Sequence, residues 1–451
     1  MYALPVASGQ ARVDVGIAGG VAAAPDGGLL WGMAESRLPQ PASGEGAAGA
    51  TPRGTFAALA SADFRMLWVG TLSMMAGLQM QGIVRSFLTY ELTSSPLILG
   101  AVNAGFAVPM LLLSLFGGVL ADRADCKRII QSFQALGALS ALYLAIIVSL
   151  GRVTWGHLFA VSVVDGVIFS FMVPARNALI PRIVGTRLVT NAMALNAGGM
   201  SATTLLAPAI AGVLYARIGP AGVYFVITAL GAASVLATGL IGYRDHAAGG
   251  ASRPALREIR EALAYITRKP LLVELLLIGL FTALLEFPFR AMLPVMIVDV
   301  YHRSADSLGL LLSVMGLGAI VGSLGVASLR VGKRGLVLIG GGVVAGIAMG
   351  GIALLPLYSV AIAFMVPLGI GDAIRRSLNM ALLIEATATS YRGRVASVYT
   401  MNFGLMPLGV LPTGAVAELF GIRVATGMLS ALLLALCLVM LVFRRETRAM
   451  A

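Results

Sequence analysis

Charge is what this 451-residue sequence has least of. Asp, Glu, Lys and Arg make up 12% of it, about half the usual share in a soluble protein, while 58% of the residues are hydrophobic. With a mean hydropathy of +0.92, no water-soluble fold of this length could cover its apolar surface. A soluble enzyme, a nucleic-acid module and a disordered chain are excluded, which leaves a polytopic membrane protein. Cysteine is nearly missing too. Cys126 falls in an expected loop and Cys437 in an expected span, at different depths, so neither a disulfide nor a metal site is expected. No Gly-x-x-x-x-Gly-Lys-Ser/Thr run supports ATP-driven pumping, no cofactor motif stands out, and no nucleophile–base constellation suggests an enzyme.

What is present is a series of long apolar runs. Stretches of about 20 residues, enough to cross a bilayer, recur near 66–89, 97–120, 129–150, 155–176, 190–215, 221–242, 271–296, 306–328, 335–354, 357–377, 395–420 and 424–443. Turn and charge signals separate them, as in Thr93-Ser94-Ser95-Pro96 and Arg217-Ile218-Gly219-Pro220. The alternation of a β-barrel is missing, so the expected fold is all-α: twelve transmembrane helices in two six-helix bundles, 61–242 and 271–443. Lys and Arg set the orientation. Of 32 basic residues, 26 fall on the side of both termini and four on the other. By the positive-inside rule both termini are cytoplasmic, and the net charge of +12 needs no nucleic-acid partner.

Residues 1–60, rich in Ala, Gly, Ser and Pro, contain no span and read as a disordered cytoplasmic extension, which a start at Met33 would shorten. The central cytoplasmic loop 243–270 reads as an amphipathic helix with Leu256, Ile259, Leu263 and Ile266 on one stripe, a surface tether between the bundles. Residues 444–451 form a short cytoplasmic tail.

Charges inside spans are costly and point to function. Arg85 lies late in the first span, Asp165 in the middle of the fourth, Glu286 and Arg290 in the seventh, and Asp372 with Arg375 in the tenth. These are the candidates for proton coupling and for a cavity wall. Each has a plainer alternative: Arg85 snorkelling to the interface, Glu286 and Arg290 neutralising each other at i,i+4, Asp372 bridging Arg375 and Arg376 at a helix end. Asp165 has no oppositely charged sequence neighbour, so ionising it there is costly unless another helix brings a cation. Candidates for contacting a substrate are Gln79, Gln81, Asn103, Phe106, Phe287 and Asn402; Asn103 could instead bond between helices. Phe169, Phe171 and Phe289 serve either as wall or as packing.

Two loops repeat at an offset of 207 residues: Gly118-Val-Leu-Ala-Asp122-Arg123-Ala-Asp125-Cys126-Lys127-Arg128 and Gly325-Val-Ala-Ser-Leu329-Arg330-Val-Gly332-Lys333-Arg334. The first resembles the cytoplasmic loop signature of the major facilitator superfamily, although Asp125 stands where glycine is usual and Leu329 replaces the second copy's Asp. The resemblance implies a conformational latch, here asymmetric, at Gly118, Asp122, Arg123, Lys127, Arg128, Arg330, Lys333 and Arg334. Gln79-Met-Gln81-Gly-Ile-Val-Arg85, Pro174-Ala-Arg176-Asn177-Ala-Leu-Ile-Pro181, Asn191-Ala-Met-Ala-Leu-Asn196 and Arg392-Gly-Arg394-Val395 are similar to a bacterial efflux subfamily, the transmembrane secretion effectors, which includes enterobactin exporters. Ala207-Pro208-Ala-Ile-Ala211-Gly212 faintly resembles an antiporter motif, or is an ordinary small-residue helix interface. The superfamily fold places spans 1, 4, 7 and 10 around a central cavity, the four spans that carry the charges.

The function this implies is secondary active export of a small amphipathic molecule (drug-like compound, siderophore or metabolite) by proton antiport. It would take place across the bacterial cytoplasmic, or inner, membrane. The partners are substrate, protons and the lipid bilayer, the chain acting as a monomer without cofactor. Uptake or uniport of a nutrient, and a non-transporting membrane sensor on the same fold, are the alternatives.

Overall fold

The computed structural model describes residues 54, 56–243, 255–328, 334–388, 391–400 and 402–443; Arg330, Lys333 and the side chains of Asp122 and Asn402 lie outside what it describes. Every long element among these residues is a helix. The first three are α1 (Ala62–Thr93), α2 (Pro96–Arg123) and α3 (Cys126–Ser149). Their starts follow local chemistry: Ser61, Ser95 and Asp125 each accept a backbone N–H three residues on, and Pro96 occupies the first turn of α2.

The stretch Trp155–Gly239 is broken at Gly185 (φ 68°) and Gly219 (φ 69°), left-handed conformations that glycine adopts without a side-chain clash. We treat its parts as α4 (155–184), α5 (186–218) and α6 (220–239). The expected loop at 177–189 is therefore helical except at Gly185. Polar residues there extend α4 and α5 past the apolar run instead of interrupting them.

A linker helix, Ala255–Thr267, precedes the second half. There α7 runs over Pro270–Ala291 and continues through Leu293–Val295 into a π-type turn, Met296–Val300. Next come α8 (Ala305–Ser328), α9 (Arg334–Leu354) and α10 (Tyr358–Glu385). Arg392–Thr400, Asn402–Leu405, the 3-10 turn Met406–Gly409 and Val410–Phe420 together make α11, and α12 is Ile422–Phe443. The segment expected as one span at 395–420 is thus several short pieces. Among the described residues eight helices are long and apolar enough to cross a membrane, and one of them, Trp155–Gly239, contains α4 to α6, so with α1 and α11 the elements fit the expected twelve crossings. Of the extension expected over 1–60, only its end is described: Ala57–Ala60 form a 3-10 turn whose Ala58 N–H donates to Asn191 Oδ1 at 2.9 Å.

The faces of the bundle differ. We call the one where α1 begins and α12 ends the terminal face, and the one holding the α1–α2 turn the distal face. Within each half, glycines let two helices cross closely: a Cβ on Gly117 of α2 would lie 2.1 Å from Ser170 O of α4, and one on Gly369 of α10 would lie 1.9 Å from Met315 O of α8. Towards the distal face the halves share one apolar core, in which Met80, Val84 and Leu99 belong with Met296, Leu308 and Val410. Towards the terminal face the first half keeps a core of its own, built on Phe64, Leu67, Ile168 and Leu179.

Candidate functional site

In the first half, α1 places Gln81 and Arg85 one turn apart and α4 brings Asp165 to meet them. Arg85 Nη1 donates to Asp165 Oδ2 at 2.6 Å, and Gln81 Nε2 donates to the same oxygen at 2.8 Å. Both charged side chains are more than nine-tenths buried. The required cation thus comes from another helix, and Arg85 is buried rather than snorkelling to an interface. Among the described residues Asp165 Oδ1 has no hydrogen-bond partner, and Asp165 lines a cavity of about 10 Å³ with Gly77, Gln81 and Ile227, room for about one water molecule.

In the second half, α7 and α10 build a larger cluster. Arg375 Nε and Nη2 donate to the two oxygens of Glu286 at 3.0 and 2.7 Å, Nη1 donates to Thr282 Oγ1 at 2.7 Å, and Nη2 also donates to Asp372 Oδ1 at 2.9 Å. The other Asp372 oxygen faces Arg376 at 2.9 Å and Arg290 at 3.6 Å, charge contacts without hydrogen-bond alignment. Two expectations are corrected. Glu286 pairs with Arg375 across to α10, not with Arg290 on its own helix, since the bidentate fork suits a carboxylate better than an i,i+4 reach. Asp372 does bridge Arg375 and Arg376, but in the middle of α10 and almost fully buried, not at a helix end.

The halves repeat each other. Gln81 and Arg85 correspond to Glu286 and Arg290 at an offset of 205 residues, and Asp165 to Asp372 at 207, the offset of the loop repeat. Each half therefore holds an Arg–Asp pair between its first and fourth helices. The copies differ in one telling way: Arg375 and Arg376 stand where the first half has Ile168 and Phe169. This correspondence was present in the sequence as a spacing, but only the pairing across helices gives it meaning.

Of the proposed lining residues, Gln79 is half-buried and Phe287 packs on the shared core. Asn103 donates to Leu99 O and, at 3.4 Å, to Ser86 Oγ of α1, so it does bond between helices. Phe106 and Phe169 meet edge-to-face at 5.7 Å, both half-buried, whereas Phe171 stacks on Phe133 of α3 and Phe289 is buried. Described latch residues bond within their own halves: Lys127 donates to Gly239 O and Ile241 O behind α6, Arg128 pairs with Asp125, and Arg334 pairs with Glu385. Arg123 is exposed and Gly118 has open space above it.

Contacts between the halves cluster towards the distal face, and sequence reasoning missed their polar members. Tyr90 donates to Asp299 at 2.5 Å and Ser95 to Glu418 at 2.8 Å. A Cβ on Gly212 of α5 would lie 2.8 Å from Gly309 Cα of α8. The weak antiporter-like run is here a helix crossing made of small residues.

A family described as transmembrane secretion effector matches residues 53–450. Macrolide efflux protein A of Streptococcus pyogenes is 23% identical over 372 residues, covering 80% of this chain and 90% of that one. The enterobactin exporter of Citrobacter koseri is 26% identical over 290 residues, 63% of this chain and 68% of that one. Among solved structures, a nucleoside transporter superposes with a TM-score of 0.66 at 15% identity, covering 84% of this chain and 99% of that one.

Proposed function

The chain belongs to the transmembrane secretion effector family of the major facilitator superfamily, and from that premise we propose that it exports a small amphipathic molecule by proton antiport with alternating access. It is a multi-pass membrane transporter, not an enzyme. The observation that carries the antiport reading is the buried Arg85–Asp165 pair, with one carboxylate oxygen bonded and the other unpartnered.

A proton arriving at Asp165 Oδ1 cancels the charge that holds Arg85 and Gln81. The released guanidinium is then uncompensated in a buried site, a state that favours rearrangement of α1 against α4. Deprotonation restores the pair. Coupling follows if the two arrangements open the site to opposite faces. The separate core of the first half at the terminal face, beside a shared core at the distal face, supports an arrangement open towards the terminal face. With the Lys/Arg excess on that side, it is the cytoplasmic one. Substrate would then be collected from the cytoplasm, as export requires, and the relatives named for efflux and export favour that direction over uptake.

Inside-out vesicles with an imposed proton gradient test the proposal, using a panel of fluorescent amphiphiles and siderophores. Gradient-driven accumulation is expected in the wild type and should be lost in Asp165→Asn. Flux that ignores the gradient and survives the substitution overturns proton antiport.

A further inference from the structure

The duplicated sites differ in the charge they show to water. Carboxylates are hidden in both: the side chains of Asp165, Glu286 and Asp372 are at most 4% exposed. The Arg85–Asp165 pair is neutral as a unit. The second-half cluster holds three guanidinium groups against two carboxylates, and its accessible members are all cations, Arg376 at 41% and Arg290 at 28% side-chain exposure.

Neither arginine sits at a membrane-facing end: Arg376 is nine residues from the end of α10, and Arg290, in the last turn of Pro270–Ala291, is ten residues from the end of the helical run that continues to Val300. An exposed guanidinium at such depth faces water rather than lipid. Its position on α10 agrees, since Arg376 points between Ala373, which packs on Gly322 of α8, and Asp372, which faces α7. In the corresponding place of the first half stands Phe169, half-buried and packed edge-to-face on Phe106. Equivalent positions in the two halves thus offer a cation on one side and an aromatic surface on the other.

We propose that the transported molecule is an amphipathic anion whose acidic group is held by Arg376 and Arg290 and whose apolar, ring-bearing part lies against Phe169 and Phe106. This rests on reading the chain as a transporter with its site between the halves, and it narrows the substrate to a charge class and an orientation. A fixed cation paired with a buried acid keeps its partner when the ligand leaves, so the site binds an anion without stranding a bare charge. A cationic amphiphile would meet like charge at the accessible members of this cluster.

The test is equilibrium binding to the purified full-length protein in lipid nanodiscs, with no gradient, of one fluorophore in two forms. Dansylglycine carries a carboxylate; a dansyl choline ester carries a quaternary ammonium. Dansylglycine is expected to bind at least ten times more tightly. Arg376→Gln should weaken it about tenfold without weakening the cation, Arg376→Lys should retain most of the preference, and Phe169→Ala should weaken the anion as well. Preference for the cation, no measurable binding of dansylglycine, or binding of dansylglycine that is indifferent to Arg376→Gln in correctly folded protein overturns the proposal. Because binding is read without a gradient, these outcomes are independent of the vesicle experiment: a cation that is bound and pumped would leave antiport standing and remove the anion, and a bound anion with no gradient-driven flux would do the reverse.

Discussion

Asp372 is met by three guanidinium groups, from Arg290, Arg375 and Arg376, and is nearly inaccessible itself. Removing its charge leaves Glu286 as the one carboxylate among three cations. Asp372→Asn is therefore expected to cost about 3–5 kcal/mol, the usual penalty for breaking a buried ionic network, and to lower the thermal unfolding temperature in detergent markedly. An unchanged unfolding temperature would show that the cluster is not electrostatically strained in this way. Arg85, Asp165, Glu286, Arg290 and Asp372 stood out in the sequence because a charge inside an apolar run is costly, although for most of them the sequence also offered a plainer role. Their pairing was not legible. Asp165 lies 80 residues from Arg85 and Glu286 lies 89 from Arg375, so no local spacing joins them. Arg375, read as a helix-end partner of Asp372, proved to be the hub because its fork reaches Glu286 and Thr282 together.

Under the proposed alternating access, the halves would pivot at the crossing of α5 and α8. Gly212 and Gly309 allow backbone-to-backbone approach, and a Cβ at Gly212 would come within 2.8 Å of both Ala305 O and Gly309 Cα. Gly212→Leu is expected to leave insertion in the membrane intact and to abolish transport, read as normal expression with no flux in vesicles. Full transport by this variant would mean that the crossing is not needed in every state of the cycle. The linker helix is fastened to the second half: Tyr265 stacks on Tyr391 at 4.1 Å, its hydroxyl accepts from Ala388 N–H at 3.0 Å, and Glu261 pairs with Arg394. Its amphipathic stripe was visible in the sequence, but the aromatic stack that docks it was not, since Tyr391 lies in a stretch without periodic signal. Element existence was legible from runs of apolar residues. Element ends were not, because helices such as α1 and α4 continue past the apolar run as polar helix.

At the scale of the whole molecule, the halves are held at the distal face by hydroxyl–carboxylate bonds and glycine crossings. Both native cysteines are buried and unbridged, which suits site-directed cross-linking. With Ser95→Cys and Glu418→Cys together, a short bis-methanethiosulfonate reagent, which forms a disulfide to each thiol by expelling methanesulfinate, should join the start of α2 to α11 and stop transport, with activity returning when a reductant cuts the link. Undiminished flux through the cross-linked protein would show that the distal face need not open. This join between halves lay beyond sequence reasoning, since Ser95 and Glu418 are 323 residues apart and neither sits in a conspicuous motif.

The closeness of Gly212 to Gly309 also sets a mechanical ratio. From Gly309 to the end of α8 at Ser328 the helix extends 19 residues, about 28 Å at 1.5 Å per residue. Each degree of tilt about the crossing then carries that end about 0.5 Å sideways. If the halves rock as the proposed cycle requires, the crossing is a fulcrum near one end of a long lever: a tilt slight enough to keep two glycines in contact is enlarged many times over at the far end.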